Sequence, residues 1–194
     1  MKAVLASGNA GKVREFAQLL AARDIEVIAQ TAYAIATPEE TGATFLDNAL
    51  LKARHAAVAT GLAALADDSG IEVDALGGRP GVWSARYAGA GATDADNLAL
   101  LLRELASVPE SQRSARYRCV LVFLRHPADP DPVIANGVWE GRILSAPRGS
   151  GGFGYDPIFQ PQGLALSVAE LPAQQKNLIS HRGQALRALL AALT

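Results

Sequence analysis

The chain has 194 residues, of which 49% are hydrophobic and 19% charged, a composition that excludes a disordered protein and allows a sizeable core. Its formal net charge of −1 argues against a general nucleic-acid binder, because such proteins need a basic surface to neutralise phosphates. The single cysteine, Cys119, cannot form an intramolecular disulfide, so the chain is compatible with a reducing cytoplasm. Its apolar neighbours in the sequence predict a role in core packing. No apolar stretch reaches the roughly 18 residues of a membrane span, so we expect no membrane partner.

The first predicted elements are a strand and a helix joined by a turn that contains two glycines. The strand covers Lys2 to Ala6, the turn Ser7 to Lys12, and the helix Val13 to Arg23. Glycines let backbone N–H groups approach an anion at the positive end of a helix, and Lys12 adds a full charge there. The spacing differs from that of a P-loop, so the turn predicts either a phosphate cradle of another kind or an ordinary structural turn.

A second helix is predicted from Phe45 to Ala57, with Thr44 as its N-cap. Small and apolar residues four positions apart predict a close-packed seam along one face. Asn48, Lys52 and His55 share a different, polar face. That face either brings Asn48 and Lys52 to phosphates or is simply solvated, and we expect solvation for His55.

Two adjacent carboxylates, Asp67 and Asp68, close the apolar run Leu62 to Ala66, and the pair Ser69 and Gly70 that follows predicts the beginning of a loop. We interpret them as the point where a buried strand emerges at a sheet edge, the usual place for ligands in α/β proteins. Because side chains alternate along a strand, only one carboxylate can face a given cleft, and the other needs a partner or solvent on the opposite side. Such carboxylates suit Mg²⁺, although a turn capped by aspartate is the alternative interpretation.

Between the carboxylates and the C-terminal motifs, the pattern predicts a helix and a long strand. Thr93 or Asp94 would cap the helix, whose leucines form a core stripe. The strand runs from Ala115 to Arg125 with apolar residues on both sides, so we expect burial on both faces. Tyr117 is interpreted as one of these core side chains.

The C-terminal part combines a glycine-rich aromatic segment with a basic helix start. Glycines flank Phe153 and Tyr155, which would let an aromatic ring lie flat against a planar ligand such as a base. His181 and Arg182 fall in the first turn of the final predicted helix. Cations in the first turn of a helix are repelled by the helix dipole, so they do not favour stability. Their presence instead favours binding of an anionic or base ligand at this point.

Five segments together resemble the family of inosine triphosphate pyrophosphatases, which hydrolyse non-standard purine nucleoside triphosphates. They follow the family order over nearly the whole chain: Ser7 to Lys12, Glu40 to Ala53, Ala66 to Gly89, Gly151 to Pro157 and Ser180 to Arg182. The resemblance implies that ITP, dITP and XTP are hydrolysed to the monophosphate and pyrophosphate, with Mg²⁺, by a cytoplasmic homodimer. It also implies an ITPase/Maf-like α/β fold, in which residues 1–194 form one domain. Its long mixed β-sheet would be flanked by helices, with two lobes and the active-site cleft between them.

The resemblance also implies roles for individual residues. Glu40 and Asp68 would hold the metal, and Asp68 would be the base that activates water. The substrate contacts would be Ser7, Gly8, Asn9, Ala10, Gly11, Lys12, Ser69, Phe153, Gly154, Tyr155, Asp156, Lys176, His181 and Arg182, with Asn48 and Lys52 as phosphate contacts. An aromatic ring would stack on the base, and the His-Arg pair would help to read it. Gln174 and Gln175 depart from the acidic residues that family members often carry there.

Two other functions remain open from the sequence. A pyrophosphatase for modified pyrimidines would keep the metal and phosphate groups but would lack the segments Gly151 to Asp156 and Ser180 to Arg182. A nucleotide sensor without turnover would keep the phosphate cradle but would not need Asp68. Selectivity for a 6-keto purine would rest on buried donors aimed at its keto oxygen, because a 6-amino group leaves those donors unpaired.

Overall fold

The computed structural model describes residues 2–20 and 25–193. Within these ranges, one six-stranded sheet has the strand order β2-β1-β3-β4-β5-β6. The strands are β1 (Lys2–Leu5), β2 (Glu26–Ala29), β3 (Ala63–Val73), β4 (Ser114–Leu124), β5 (Val133–Ile143) and β6 (Phe159–Pro161). Strand β1 pairs in parallel with β2 and β3, whereas β5 and β6 are antiparallel. The predicted mixed sheet is therefore confirmed.

The α-helices of the described ranges flank this sheet, as the predicted α/β fold requires. They are α1 (Ala10–Leu20), α2 (Phe45–Thr60), α3 (Asp94–Glu104), α4 (Ala173–Ile179) and α5 (His181–Ala192). Helix α1 begins at Ala10 rather than at Val13, and its predicted end at Arg23 lies outside the described residues. No described helix combines the length and the apolar character needed to cross a bilayer.

The predicted N-caps explain where two helices start. Thr44 accepts a hydrogen bond from the backbone N–H of Asp47, whose carboxylate accepts one from the N–H of Thr44. Thr93 and Asp96 form the same reciprocal pair at the start of α3. Each pair satisfies two N–H groups that the helix cannot pair itself, so the cap positions are fixed by local sequence.

The chain forms two compact units, each with its own hydrophobic core. Unit 1 contains Met1–Asp68, Cys119–Gly137 and Arg182–Thr194, and unit 2 contains Ser69–Arg118 and Val138–His181. The core of unit 1 includes Leu5, Phe16, Leu20, Leu65, Cys119, Leu121, Phe123, Leu186 and Leu189. The core of unit 2 includes Ile71, Val73, Leu101, Leu105, Tyr117, Trp139, Ile143, Ile158 and Phe159. The predicted core positions of Cys119 and Tyr117 are confirmed.

Helix α2 packs against β1 through the predicted seam of small residues. Ala49, Ala53 and Ala57 are fully buried, so the helix approaches its neighbours closely. This close packing also carries Asn48 and Lys52 into the interior, whereas His55 is exposed as expected. The polar face of α2 is therefore divided between a buried part and a solvated part.

The prediction that a loop begins at Ser69 is wrong. Strand β3 continues from Ala63 to Val73, straight through Asp67, Asp68, Ser69 and Gly70. Strand β1 ends at Leu5, opposite Leu65 of β3, while β4 lies along the other side of β3. Asp67 and Asp68 thus lie just beyond the end of the neighbouring strand β1, whereas their own strand β3 continues. Which strand ends there depends on strand pairing and not on local sequence.

Candidate active site

Asp67 and Asp68 lie next to each other in the middle of β3, and both are buried. Neighbouring residues of a strand point to opposite faces of the sheet, so each carboxylate needs its own partners. The structure supplies a separate cationic partner on each side: Lys12 binds Asp67, and Lys52 binds Asp68. This confirms the expectation that one carboxylate of the pair finds a partner away from the other.

The Asp68 side of β3 is built by the polar face of α2. The ammonium Nζ of Lys52 lies 2.7 Å from Asp68 Oδ1 and 2.7 Å from Glu40 Oε1. Asn48 donates from Nδ2 to Asp68 Oδ2 at 3.3 Å and accepts from the N–H of Gly42 at 2.8 Å. A Cβ atom at Gly42 would lie 2.6 Å from Asn48 Oδ1, so a glycine is required there. The structure therefore brings four predicted site residues, Glu40, Asn48, Lys52 and Asp68, into one cluster.

Burial controls the proton affinity of Asp68. It raises the pKa of Asp68 above the usual aspartate value, and repulsion from Glu40 adds to this effect while Lys52 opposes it. Burial by itself would lower the pKa of Lys52, but attraction to Asp68, Asp67 and Glu40 outweighs it and raises that pKa. Lys52 is thus a permanent cation beside a carboxylate that is more basic than an ordinary aspartate.

The Asp67 side of β3 is a second cluster of charges. Asp67 Oδ2 lies 2.8 Å from Lys12 Nζ and 3.6 Å from Arg182 Nε, and Arg182 Nη1 lies 2.8 Å from Glu15 Oε2. Burial by itself would raise the pKa of Asp67, but attraction to Lys12 and Arg182 outweighs it and holds that pKa far below its usual value. Asp67 is therefore a fixed anion, in contrast to Asp68.

The predicted phosphate cradle forms the turn that starts α1. Asn9 Oδ1 accepts from the N–H groups of Gly11 at 2.9 Å and Lys12 at 3.1 Å. Ser7 Oγ accepts from the N–H of Asn9 at 3.2 Å. The side chain of Asn9 thus occupies two of the N–H donors that the sequence assigned to an anion, while Gly8, Asn9 and Ala10 are exposed. An incoming phosphate would compete with Asn9 for these donors.

In unit 2, Lys176, Asp156 and Phe153 form a third cluster of predicted site residues. Lys176 Nζ lies 2.9 Å from Asp156 Oδ2 and 4.4 Å from the centre of the Phe153 ring. The N–H of Phe153 donates to the same carboxylate oxygen at 3.0 Å. A Cβ atom at Gly152, where φ is +74°, would lie 2.1 Å from Asp156 Oδ2, so glycine is needed for this close approach.

The two aromatic residues of the glycine-rich segment have different surroundings. Tyr155 is buried, and its hydroxyl donates to the backbone oxygen of Ser84 at 2.7 Å. Phe153 is only half-buried, so its ring is the more accessible of the two for stacking. Gly154 donates its N–H to Asp94 at 2.7 Å, and Ser69 is half-buried in β3.

His181 lies in unit 2 at the start of α5, where it stacks on a residue that sequence reasoning placed only in the core. The ring centres of His181 and Tyr117 are 4.6 Å apart and the planes differ by 6°. The Tyr117 hydroxyl also donates to Asp156 Oδ1 at 3.2 Å. A tyrosine at a position expected to be buried needs a partner for its hydroxyl, and this was the available signal. Glu15, which binds Arg182, was missed because nothing local marks its partner.

The lysines of the chain are concentrated at these clusters. The sequence contains four: Lys2, Lys12, Lys52 and Lys176. The side chains of Lys12, Lys52 and Lys176 are 15%, 5% and 7% exposed, whereas that of Lys2 is 63% exposed. Lysines are almost never buried without a paired charge, and each buried lysine here binds a carboxylate. Three cations are therefore held at positions that the sequence assigned to the substrate or to its phosphates.

Known proteins resemble this chain over nearly its whole length. The model of the Ham1 family matches residues 3–192. The chain belongs to the Ham1 family. One relative, a dITP/XTP pyrophosphatase of Shigella flexneri, is 57% identical to this chain over 192 residues, which cover 99% of this chain and 98% of the relative. Another from Thioalkalivibrio sulfidiphilus is 58% identical over 193 residues, with coverage of 100% and 98%. The structure of a HAM1 protein from Coxiella burnetii has a TM-score of 0.91 at 50% identity, with coverage of 100% and 98%.

Substitution of the buried lysine of α2 tests the Asp68 cluster of this Ham1 protein. We expect Lys52→Met to lower the free energy of unfolding by about 3–5 kcal/mol, because two largely buried carboxylates lose their shared cation. Urea denaturation followed by circular dichroism measures this change.

Lys2→Met is the matched control, because it removes a lysine from an exposed pair in which Lys2 and Glu26 are 3.8 Å apart. We expect a loss of about 1 kcal/mol or less for this variant. Similar losses for the two variants would contradict the role given to Lys52.

Proposed function

We propose that this protein hydrolyses the non-standard purine nucleoside triphosphates ITP, dITP and XTP to the nucleoside monophosphate and pyrophosphate. The observation that carries the proposal is the position of Asp68, a buried carboxylate of raised pKa bound by Lys52 and Asn48. Relatives named dITP/XTP pyrophosphatase align over 98% or more of both chains. The protein is thus a nucleoside-triphosphate pyrophosphatase that keeps deaminated purines out of DNA and RNA.

Cleavage between the α- and β-phosphates requires a base for water and cations for the departing pyrophosphate. Asp68 accepts a proton from water as the water oxygen bonds to the α-phosphorus and the bond to the β-phosphate oxygen breaks. Its raised pKa favours this transfer, because a base works best when its pKa is near the operating pH. Lys12, Lys52 and Lys176 supply positive charge for the phosphates, together with the turn from Ser7 to Lys12, in which Gly8, Asn9 and Ala10 are exposed.

The donor set around Asp68 fits a magnesium ion. Glu40 and Asp68 each direct a carboxylate oxygen at the Lys52 ammonium, so two oxygen donors already converge on one cationic centre. No group of three or more His, Cys, Asp or Glu side chains in residues 2–20 and 25–193 could hold a metal by itself. Magnesium commonly uses one or two carboxylates and completes its shell with waters and substrate phosphates, which matches Glu40 and Asp68. When bound, it would neutralise phosphate oxygens as the pyrophosphate leaves.

The purine base is assigned to residues from the C-terminal part of the chain. Phe153 stacks on the base, because its ring is accessible and its N–H is fixed by Asp156. His181 supplies its imidazole ring for base recognition. Tyr155 and Asp156 support the segment through bonds to Ser84 and Lys176. The Arg182 guanidinium holds Glu15 and lies near Asp67, and it is assigned to the substrate together with His181.

The setting of the reaction follows the resemblance. Residues 1–194 act as one pyrophosphatase domain, and two copies form a homodimer in the cytoplasm. The net charge of −1 and the buried thiol of Cys119 are compatible with this setting. Neither nucleic acid nor a membrane is a partner.

A panel of nucleotides tests both the bond that is cleaved and the selectivity. We expect pyrophosphate from ITP, dITP and XTP with Mg²⁺, and little product from ATP, dGTP or UTP. Chromatography that separates pyrophosphate from orthophosphate measures the products. Orthophosphate from ITP, or tight ITP binding without turnover, would contradict the proposal in favour of a phosphatase or a sensor.

Removal of the proposed base separates catalysis from binding. We expect Asp68→Asn to abolish hydrolysis while nucleotide affinity stays within about tenfold, because the amide keeps the shape of the side chain but cannot accept a proton from water. Single-turnover assays and calorimetric titration with ITP measure the two effects.

Asp131→Asn makes the same chemical change at an exposed position and is expected to retain wild-type turnover. Wild-type turnover in Asp68→Asn would remove Asp68 from the mechanism.

Removal of the stacking ring tests base binding. We expect Phe153→Ala to raise the KM for ITP by roughly 5- to 150-fold, the equivalent of the ~1–3 kcal/mol of a lost base-aromatic contact. Trp83→Ala is the control, because Trp83 is an exposed ring that likewise lies near a cation, with Arg86 Cζ 4.5 Å from its centre. An unchanged KM in Phe153→Ala would contradict stacking on the base and would leave Phe153 with a packing role only.

A further inference from the structure

Tyr117 of β4 has two contacts that go beyond core packing. Its ring is 7% exposed, it stacks on His181, and its hydroxyl binds Asp156. We propose that Tyr117 is a positioning residue for base selectivity, which fixes the plane of the His181 imidazole through its ring. This inference rests on the proposed function, since it concerns the discrimination between 6-keto and 6-amino purines.

The stacking geometry supports an orienting role. The planes of Tyr117 and His181 differ by only 6°, with the ring centres 4.6 Å apart. The N–H bonds of an imidazole lie in its ring plane, so the plane of Tyr117 limits the directions in which His181 can donate. Hydrogen bonds weaken steeply as their angle departs from linearity, and a tilted imidazole would therefore discriminate less well between a keto oxygen and an amino group.

The orientation of Tyr117 is itself fixed by its surroundings. Phe159 packs edge-on against Tyr117, with centres 4.7 Å apart and planes at 68°, and Trp139 meets Phe159 at 5.8 Å and 63°. Phe159 is fully buried, and Trp139 is nearly so. Aromatic edge-to-face contacts in a packed core hold rings in defined orientations. The imidazole of His181 thus rests on a rigid aromatic support.

The hydroxyl of Tyr117 extends this support to the third cluster. It donates to Asp156 Oδ1, while Asp156 Oδ2 accepts from Lys176 and from the N–H of Phe153. Tyr117 therefore contacts both His181, which is proposed to read the base, and Asp156. Asp156 in turn holds Lys176 and the backbone of Phe153. The ring and the hydroxyl make separate contacts, so two substitutions can test them separately.

The test compares Tyr117→Leu, which removes the ring, with Tyr117→Phe, which removes only the hydroxyl. The readout is the ratio of kcat/KM for ITP to kcat/KM for ATP. We expect Tyr117→Leu to lower this ratio by about tenfold or more, since directional donors carry such discrimination. Tyr117→Phe should keep the ratio within about threefold of wild type and raise the KM for ITP, because the stack remains and only the Asp156 contact is lost.

Tyr87→Phe is the matched control. Its hydroxyl also donates to a carboxylate, that of Glu104, but Tyr87 has no place in the proposed machinery. We expect wild-type KM and selectivity for this variant. A raised KM in Tyr87→Phe equal to that in Tyr117→Phe would assign the effect to general destabilisation and overturn the role of the Tyr117 hydroxyl.

A second measurement makes the test independent of the stability of Tyr117→Leu. The chain has three histidines, so imidazole resonances are few. One should be shifted upfield by the stacked tyrosine ring and should keep that shift in Tyr117→Phe. It should lose most of the shift in Tyr117→Leu or, if that variant does not fold, in Tyr117→Met, because the Trp139 ring that remains is farther away, with its centre 6.4 Å from that of His181.

The outcomes distinguish the inference from the proposed function. A wild-type protein that is selective for ITP, together with Tyr117→Leu or Tyr117→Met of unchanged selectivity, would overturn the role of Tyr117 alone. A wild-type protein without an upfield imidazole resonance would do the same. A wild-type protein that releases no pyrophosphate from ITP would overturn the proposed function and, with it, this inference.

Discussion

The alternation of side chains along β3 is the constraint on which the candidate site depends. It places Asp67 and Asp68 on opposite faces of the sheet, where both are buried. A buried carboxylate without a partner is costly, so each face must bring a cation to this point of the strand. The start of α1 brings Lys12 to one face and the middle of α2 brings Lys52 to the other. The placement of two helices is thus tied to two adjacent residues.

The different surroundings of Asp67 and Asp68 give the two carboxylates different proton affinities. Lys12 and Arg182 surround Asp67 with positive charge and keep it ionised, whereas burial and Glu40 make Asp68 more basic despite Lys52. Environments that push the pKa values of two nearby acids apart are typical of catalytic pairs in which one group transfers protons and the other provides structure. In unit 2, Asp156 holds Lys176 in a related ion pair.

Much of the fold could be predicted from sequence because it depends on local patterns. Thr44 caps α2, alanines at helical spacing form its seam, and the alternation of Asp67 and Asp68 requires no knowledge of distant residues. The continuation of β3 beyond Asp68 was not predictable, because it depends on where β1 ends and on pairing with β4. The contacts of Tyr117 and Glu15 were missed for a similar reason, since their partners are distant in sequence.

The pairing of three lysines with carboxylates of the chain has a consequence for how anions are received. A phosphate oxygen that approaches Lys12, Lys52 or Lys176 meets a cation that already has an internal counter-ion, so association is an exchange of partners rather than the filling of a positive surface. Single inorganic anions gain little from such an exchange. A polyphosphate that engaged both Lys12 and Lys52 would gain much more, because its second contact would be intramolecular. In the proposed function, the ion pairs of Lys12 and Lys52 would therefore favour substrates with several linked phosphates over single phosphate groups.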